Sequence, residues 1–242
     1  MTTYKLHTDR TQRNAFEKYF SEILREDKVE VVETGPYVSI SRDFGCMANP
    51  IAIRLSRELT RLSKESGKGK EWKWFNKVIL EESAKALDLS PSKIKYVFRA
   101  QKKSMIDEIV GAMATKYYKS DKKIRRTIID VIRLIVKTGY VIIVGRGGVA
   151  FANDNPQSLH IKLTAPVEWR VEMVRKNYHK TEEDAYKYLL KVDKERKYLI
   201  DSFMGFDTYH SIFDVVFNRK TVTEDEILNT IISLLKMKNL II

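Results

Sequence analysis

At 242 residues with 43% apolar content, the chain is long enough to bury one sizeable core, and a single α/β domain carrying an insertion is the default expectation. The net charge of +12 is concentrated: residues 61–126 hold 18 Lys and Arg against 8 Asp and Glu, which suits either a surface for anionic ligands or a set of solvated lysine-rich helices. Cys46 has no second cysteine to pair with, the four histidines are scattered, no apolar run approaches the roughly 20 residues of a membrane span, and residues 1–10 are charged; a soluble cytoplasmic protein without structural metal, membrane contact or secretory signal is expected.

In chain order, Leu6, Phe16, Tyr19, Phe20, Ile23 and Leu24 recur at helical spacing and predict a helix within residues 1–28. Gly35-Pro36 then breaks the chain before a short buried strand over residues 37–41. A loop follows, and Pro50 opens a helix whose apolar positions are Ile51, Leu55, Leu59 and Leu62; proline is best tolerated in the first helical turn. Trp72, Trp74 and Phe75 predict a short strand or an aromatic anchor, able to stack on a base or to pack beneath an insertion. Residues 77–136 read as several helices, with breaks near residues 88–91 and 119–121.

Gly139 ends that helical stretch, and residues 140–144 form an unbroken apolar run of the kind a parallel sheet buries on both faces. Residues 158–165 alternate and predict a further strand, Pro166 opens a helix through Lys176, and Thr181 begins another that runs to about Ser202. A last strand over residues 214–218 precedes a helix from Thr223, whose spacing to Glu226 fits a capping box. Strands alternating with helices imply a mainly parallel sheet of five strands covered on both faces, an α/β fold in three layers.

The first strand runs through Ser41, Arg42, Asp43, Phe44, Gly45, Cys46, Met47, Ala48 and Asn49 into a helix, the layout in which backbone N–H groups wrap a phosphate at a helix N-terminus. The full phosphate-loop pattern G-x-x-x-x-G-K-[ST] is not met: Gly45 alone is glycine, and no lysine precedes a hydroxyl residue. An ordinary strand-to-helix turn therefore stands beside the phosphate-loop reading. Cys46 has no neighbouring base in sequence and reads as a small loop residue rather than a nucleophile.

Val38-Ser39-Ile40-Ser41-Arg42-Asp43-Phe44-Gly45 resembles the first-strand signature of the cytidylate kinase-like family, within the P-loop nucleoside monophosphate kinase superfamily. Gly145-Arg146-Gly147 is similar to that family's G-R-G. The stretch from Leu159 through Thr164-Ala165-Pro166 to Arg170 resembles the next strand and helix start, Lys191-Val192-Asp193-Lys194-Glu195-Arg196 its lid helix, and Phe213-Asp214-Val215-Val216-Phe217-Asn218 its last strand. The matches fall in order across roughly residues 37–236.

The resemblance implies a P-loop NTPase-like architecture: an N-terminal helical extension over residues 1–36, a kinase-like domain over 37–242, a helical monophosphate-binding insertion at about 64–136 and a lid at about 170–205. It implies nucleotide substrates rather than nucleic acid, with ATP and Mg²⁺ used to phosphorylate a nucleoside monophosphate or a related small phosphorylated acceptor. Arg170 and Arg196 would serve the transferring group, Gly145, Arg146 and Gly147 would serve the acceptor, and Asp193 would orient a lid arginine or contact the acceptor; Arg42 could join the catalytic set by supplying from the other end of the loop the charge that the loop lacks. Arginine suits such work because its planar fork meets two phosphate oxygens at once.

Read from the residues alone, Arg146 could instead make a surface ion pair, and Arg170 and Arg196 could pair with Glu172, Glu195 or Asp193. The sequence departs from the family's S-G-G-R where it has Cys46-Met47-Ala48-Asn49, losing two glycines and an arginine, and Asn76 stands where relatives often carry aspartate. A non-catalytic nucleotide-binding or regulatory protein is the alternative, and a nucleic-acid-binding module built on the basic insertion ranks below both.

Overall fold

A computed structural model describes residues 35–76 and 121–241. The helix expected within residues 1–28 and the helices expected over 77–120 lie outside these. Within them, five strands form one sheet: β1 (Tyr37–Arg42), β2 (Lys73–Phe75), β3 (Val141–Val144), β4 (Ser158–Thr164) and β5 (Val215–Asn218). Every pairing is parallel and the spatial order is β2-β3-β1-β4-β5. The three-layer α/β expectation holds.

Helices α1 (Ala48–Glu65), α2 (Asp121–Thr138), α3 (Val167–Tyr178), α4 (Glu182–Met204) and α5 (Glu224–Met237) complete the described chain, with a 3₁₀ segment at Gly148–Asp154. Alternation along the strands assigns the two layers. Val38 and Ile40 of β1, with Ile142, Val144, Leu159 and Ile161, meet Ile51, Leu55 and Leu59 of α1 and Ile227 and Ile231 of α5. On the opposite face, Tyr37, Val141 and Ile143 meet Ile128, Ile132 and Ile135 of α2, Phe151 and Leu199. All four residues of β3 are buried because β3 lies between two strands and beneath helices on both faces.

The helix ends follow local chemistry. Thr223 and Glu226 close a reciprocal capping box at α5, and the Thr181 hydroxyl accepts the Asp184 N–H at α4. Helix α1 begins at Ala48, two residues before the proline expected to open it. Pro50 is still within the first turn, where its missing N–H leaves no intrahelical bond unmade. Trp72 is 3% exposed, packs in the α1-side core and meets Tyr140 edge-on with ring centres 5.7 Å apart, so of the two readings for this aromatic it takes the packing one. No helix among the described residues is long and apolar enough to cross a membrane.

One polar pair sits inside the sheet. Ser39 of β1 and His160 of β4 are register partners, their Oγ and Nδ1 atoms are 2.8 Å apart, and His160 Nε2 has no hydrogen-bond partner. Burial drives the imidazole pKa down to about 4, outweighing the opposing pull of the Asp214 carboxylate, and Lys238 adds to the depression. The unfolded chain, titrating near 6.5, therefore binds the extra proton first: this stability is complete above that value and is lost as pH falls toward 4. The loss amounts to about 3 kcal/mol. Urea unfolding between pH 4.5 and 7 should show a rise in stability with pH that His160→Gln flattens; an unchanged slope in the variant would contradict the assignment.

Candidate functional site

The chain changes direction across the sheet at β1. From β1 it moves to β2 and β3 on one side, then crosses to β4 and β5 on the other. Open α/β sheets leave a crevice beyond the carboxyl ends of the strands at such a point. Here it is a cavity of about 810 Å³, bounded by residues 41–44 at the end of β1, the turn at 145–147 after β3, Lys162 of β4, the inner face of α4 and the segment 208–213. Its size is that of a small-molecule site.

The turn after β3 is built around left-handed backbone. Gly145, Arg146 and Gly147 have φ of 71°, 58° and 66° in succession. A Cβ on Gly145 would overlap Nη1 of Arg42, and one on Gly147 would come within 2.5 Å of the Phe203 ring. Bare backbone at Gly145 is thus what lets the Arg42 guanidinium lie against the β3 turn.

Gly145→Ala should lower the unfolding free energy by about 1–2 kcal/mol from backbone strain and also displace Arg42. Gly205, at φ 79° with no atom within 4 Å of its added Cβ, supplies the control. Gly205→Ala should show the backbone cost alone in urea unfolding and leave Arg42 and the β3 turn in place. Equal losses of stability in the two variants would contradict the role given to Gly145.

Three guanidinium groups share this space. Arg42, Arg146 and Arg196 all line the cavity. Burial lowers the pKa of Arg42 well below its ordinary value, and the positive charges of Arg196 and Arg146 lower it further. An arginine keeps its proton at any physiological pH, so this field is a standing repulsion that a bound anion would relieve. Arg196 is held in place by donating from Nη1 to the Arg42 carbonyl at 3.0 Å, with its guanidinium 5.3 Å from the centre of the Phe44 ring.

Helix α4 docks on the end of β1 through a carboxylate. Asp193 Oδ1 accepts the Phe44 N–H at 2.6 Å, and Oδ2 accepts from Arg170 Nη1 at 2.5 Å. Arg170 also donates from Nε to the Ala165 carbonyl at 3.0 Å, and its side chain is only 8% exposed. Phe44 fills a small core between α3 and α4 with Val171, Val174, Ala185 and Leu189, flanked by Tyr178 and Tyr188 with ring centres 5.4 and 5.1 Å away. Arg170 therefore braces α3, α4 and the β1 end from behind the cavity and does not line it.

The loop between β1 and α1 divides in the same way. Of the residues expected to form a phosphate loop, Ser41 and Arg42 line the cavity, whereas Gly45, Cys46, Met47, Ala48 and Asn49 do not. Gly45, at φ 95°, lies against the Arg170 backbone, where a Cβ would come within 2.9 Å of the carbonyl oxygen. Cys46 is wholly buried, and burial, with Asp43 adding to it, pushes its thiol up to about 12, which removes it as a nucleophile. Met47 takes the left-handed cap before α1 at φ 49°, a conformation that favours glycine, and its side chain is 39% exposed. The Cys46 carbonyl accepts from Arg219 Nε at 3.4 Å, and Asn49 is exposed.

The expected acceptor residues Gly145, Arg146, Gly147 and Asp193 all border the cavity, together with Arg42 and Arg196. Lys162 and the segment 208–213 were not singled out from the sequence. Lys162, opposite Ser41, continues the polar face of β4 that also carries Ser158, His160 and Thr164, and a charge with only 15% of its side chain exposed is a signal that it has a partner. That partner is Asp43, whose Oδ1 is 2.5 Å from the Lys162 ammonium and whose Oδ2 accepts from the Thr164 hydroxyl at 2.6 Å. Burial alone would raise the Asp43 carboxyl, but the charge and hydrogen bond of Lys162, with help from Thr164, bring it below the usual carboxylate value.

A cytidylate kinase of Sulfolobus acidocaldarius is 28% identical over 156 residues, spanning 61% of this chain and 83% of that protein. A crystal structure of an uncharacterized protein from Eubacterium ventriosum superposes with a TM-score of 0.54 at 18% identity, covering 84% of this chain and 98% of the other, which bears on the fold alone. A shikimate kinase structure from Bacteroides thetaiotaomicron gives a TM-score of 0.45 at 9% identity, with 83% and 98% covered. The sequence profile described as "Cytidylate kinase-like family" matches residues 37–221, which is most of the chain and spans every strand of the sheet. This chain belongs to the cytidylate kinase-like family.

Proposed function

We propose that this protein is a nucleoside monophosphate kinase that transfers the γ-phosphoryl group of ATP to a cytidylate-like nucleotide. The observation that carries the reading is the convergence of Arg42, Arg146 and Arg196 on one cavity at the carboxyl ends of β1 and β3, in a chain of this family. In such a transfer a phosphate oxygen of the acceptor attacks the γ-phosphorus and the bond to the β–γ bridging oxygen breaks; the protein positions both groups and neutralises charge. Arg146, on the β3 turn, would hold the acceptor phosphate. Arg196, carried by α4, and Arg42, held against Gly145, would face the group in flight. Arg170 would act as a positioning residue through Asp193 and Phe44.

The cationic lining fits polyphosphate. It does not build a cage for Mg²⁺: no group of three or more His, Cys, Asp or Glu could hold a metal ion among the described residues, and both oxygens of Asp43 are engaged. When bound, Mg²⁺ would supply positive charge to the phosphates, with its ligands drawn largely from substrate and water.

An assay of ADP release across the four ribonucleoside monophosphates tests the proposal. Acceptor-dependent, Mg²⁺-dependent release with wild-type protein supports it, and absence of release with every acceptor overturns it. One observation favours a second reading, a nucleotide-binding protein without turnover. The Phe44 N–H is occupied by Asp193, and the loop that would receive the donor lies apart from the cavity. That reading predicts monophosphate binding with no ADP release.

A further inference from the structure

We infer that Lys162 is a phosphate-binding residue of this cavity, supplying from strand β4 the cationic contact that the β1–α1 loop does not provide. The inference rests on the kinase reading for the identity of its ligand. The loop offers no lysine, since Ala48 and Asn49 stand at the start of α1 and neither borders the cavity. Lys162 does border it, from β4, an interior strand paired on both sides.

Three observations set Lys162 apart from a surface lysine. Its side chain is 15% exposed, so its charge acts with little screening by water. It projects from a central strand, opposite Ser41, and its ammonium lies 5.9 Å from the centre of the Phe213 ring, so the stem is held between rigid elements. Its partner is Asp43 on the cavity wall, which has a second donor in Thr164.

The last point gives the pair its capacity to exchange. A phosphate oxygen entering beside Ser41 and Arg42 can take Lys162 as donor while Asp43 keeps the Thr164 hydroxyl, so neither carboxylate nor ammonium is left without a partner. In the unliganded protein Asp43 acts as the internal anion that holds Lys162 in place. The ligand recognised is the phosphate of a nucleotide, whether donor triphosphate or acceptor monophosphate. Inorganic tripolyphosphate and CMP are the probes that separate the two sources.

Calorimetric titration of wild type, Lys162→Met, Asp43→Asn and the double variant tests the assignment. Lys162→Met should weaken one of the two probes by about 10- to 100-fold, as expected for loss of one charge-assisted bond to phosphate, and the other by less. Asp43→Asn, which removes the competing anion, should tighten the same probe. The double variant, which leaves no unpaired buried charge, should bind like Lys162→Met and so keeps the test valid if the single variant folds poorly. Unchanged affinity for both probes in the folded double variant overturns the inference. Failure of the kinase reading shows differently, as no ADP release by wild-type protein with any acceptor, whereas binding of neither probe overturns both.

Discussion

Arg146→Ala is expected to lower kcat/KM for the acceptor by about 10²–10³-fold, the scale of removing one preorganised donor from a charged transition state. The fold should remain, because Arg146 sits on a turn fixed by Gly145 and Gly147 on either side and by the Gly148 N–H bonded to the Gly145 carbonyl at 3.1 Å. Arg146→Lys should recover only part of the loss, since a lysine keeps the charge but not the two-pronged geometry. Steady-state ADP release with acceptor varied at saturating ATP gives the value, and thermal unfolding checks the fold. An acceptor kcat/KM within a factor of about two of wild type would remove Arg146 from the site.

Asp193→Ala should destabilise the protein by about 3 kcal/mol, the lower end of the range for deleting one partner of a buried ion pair. Two donors lose their acceptor at once: the Arg170 guanidinium, 8% exposed, and the Phe44 N–H. Helix α4 would lose its polar tie to the end of β1, and the small core around Phe44 would have to hold α3 and α4 alone. The double variant Asp193→Leu with Arg170→Met should recover much of the stability, because a buried pair replaced by apolar groups of similar volume is often neutral. Urea unfolding of the single and double variants measures both. A loss below about 1 kcal/mol in Asp193→Ala would show that the brace contributes little, as a screened surface pair does.

The fold was legible where its signals are local. The run VIIV of β3, the alternation in β4 and the capping box at Thr223 each depend on neighbours within a few positions, and each appears in the structure close to where the pattern put it. Pro50 misplaced the start of α1 by two residues because proline is tolerated anywhere in a first turn, so it marks the turn and not the first residue.

The site was legible by residue type and illegible by partner. Arginines near strand ends pointed to phosphate, with ion pairs to Glu172, Glu195 or Asp193 as the alternative; the sequence does not decide that Arg170 takes Asp193, 23 positions away, while Arg196 on α4 faces the cavity. Gly145 reads as a turn glycine; its close approach to Arg42 exists only once β1 and β3 are adjacent. Lys162 is concealed in the sequence because it continues the polar alternation of Ser158, His160 and Thr164 along β4. The loop residues 45–49 were grouped by sequence order with Arg42, but the chain turns beneath α3 after Phe44 and carries them away from the cavity.

Separate calorimetric titrations of the wild-type protein with CMP and with Mg²⁺-ATP bear most directly on the claim that the arginine-lined cavity is a nucleotide phosphate site. Saturable binding of CMP, weakened as salt is raised and abolished in a variant carrying both Arg42→Ala and Arg146→Ala, is the predicted result, with Mg²⁺-ATP binding added if the donor site is retained. Absence of binding by either nucleotide at low salt, or binding indifferent to the two arginine substitutions, would contradict it.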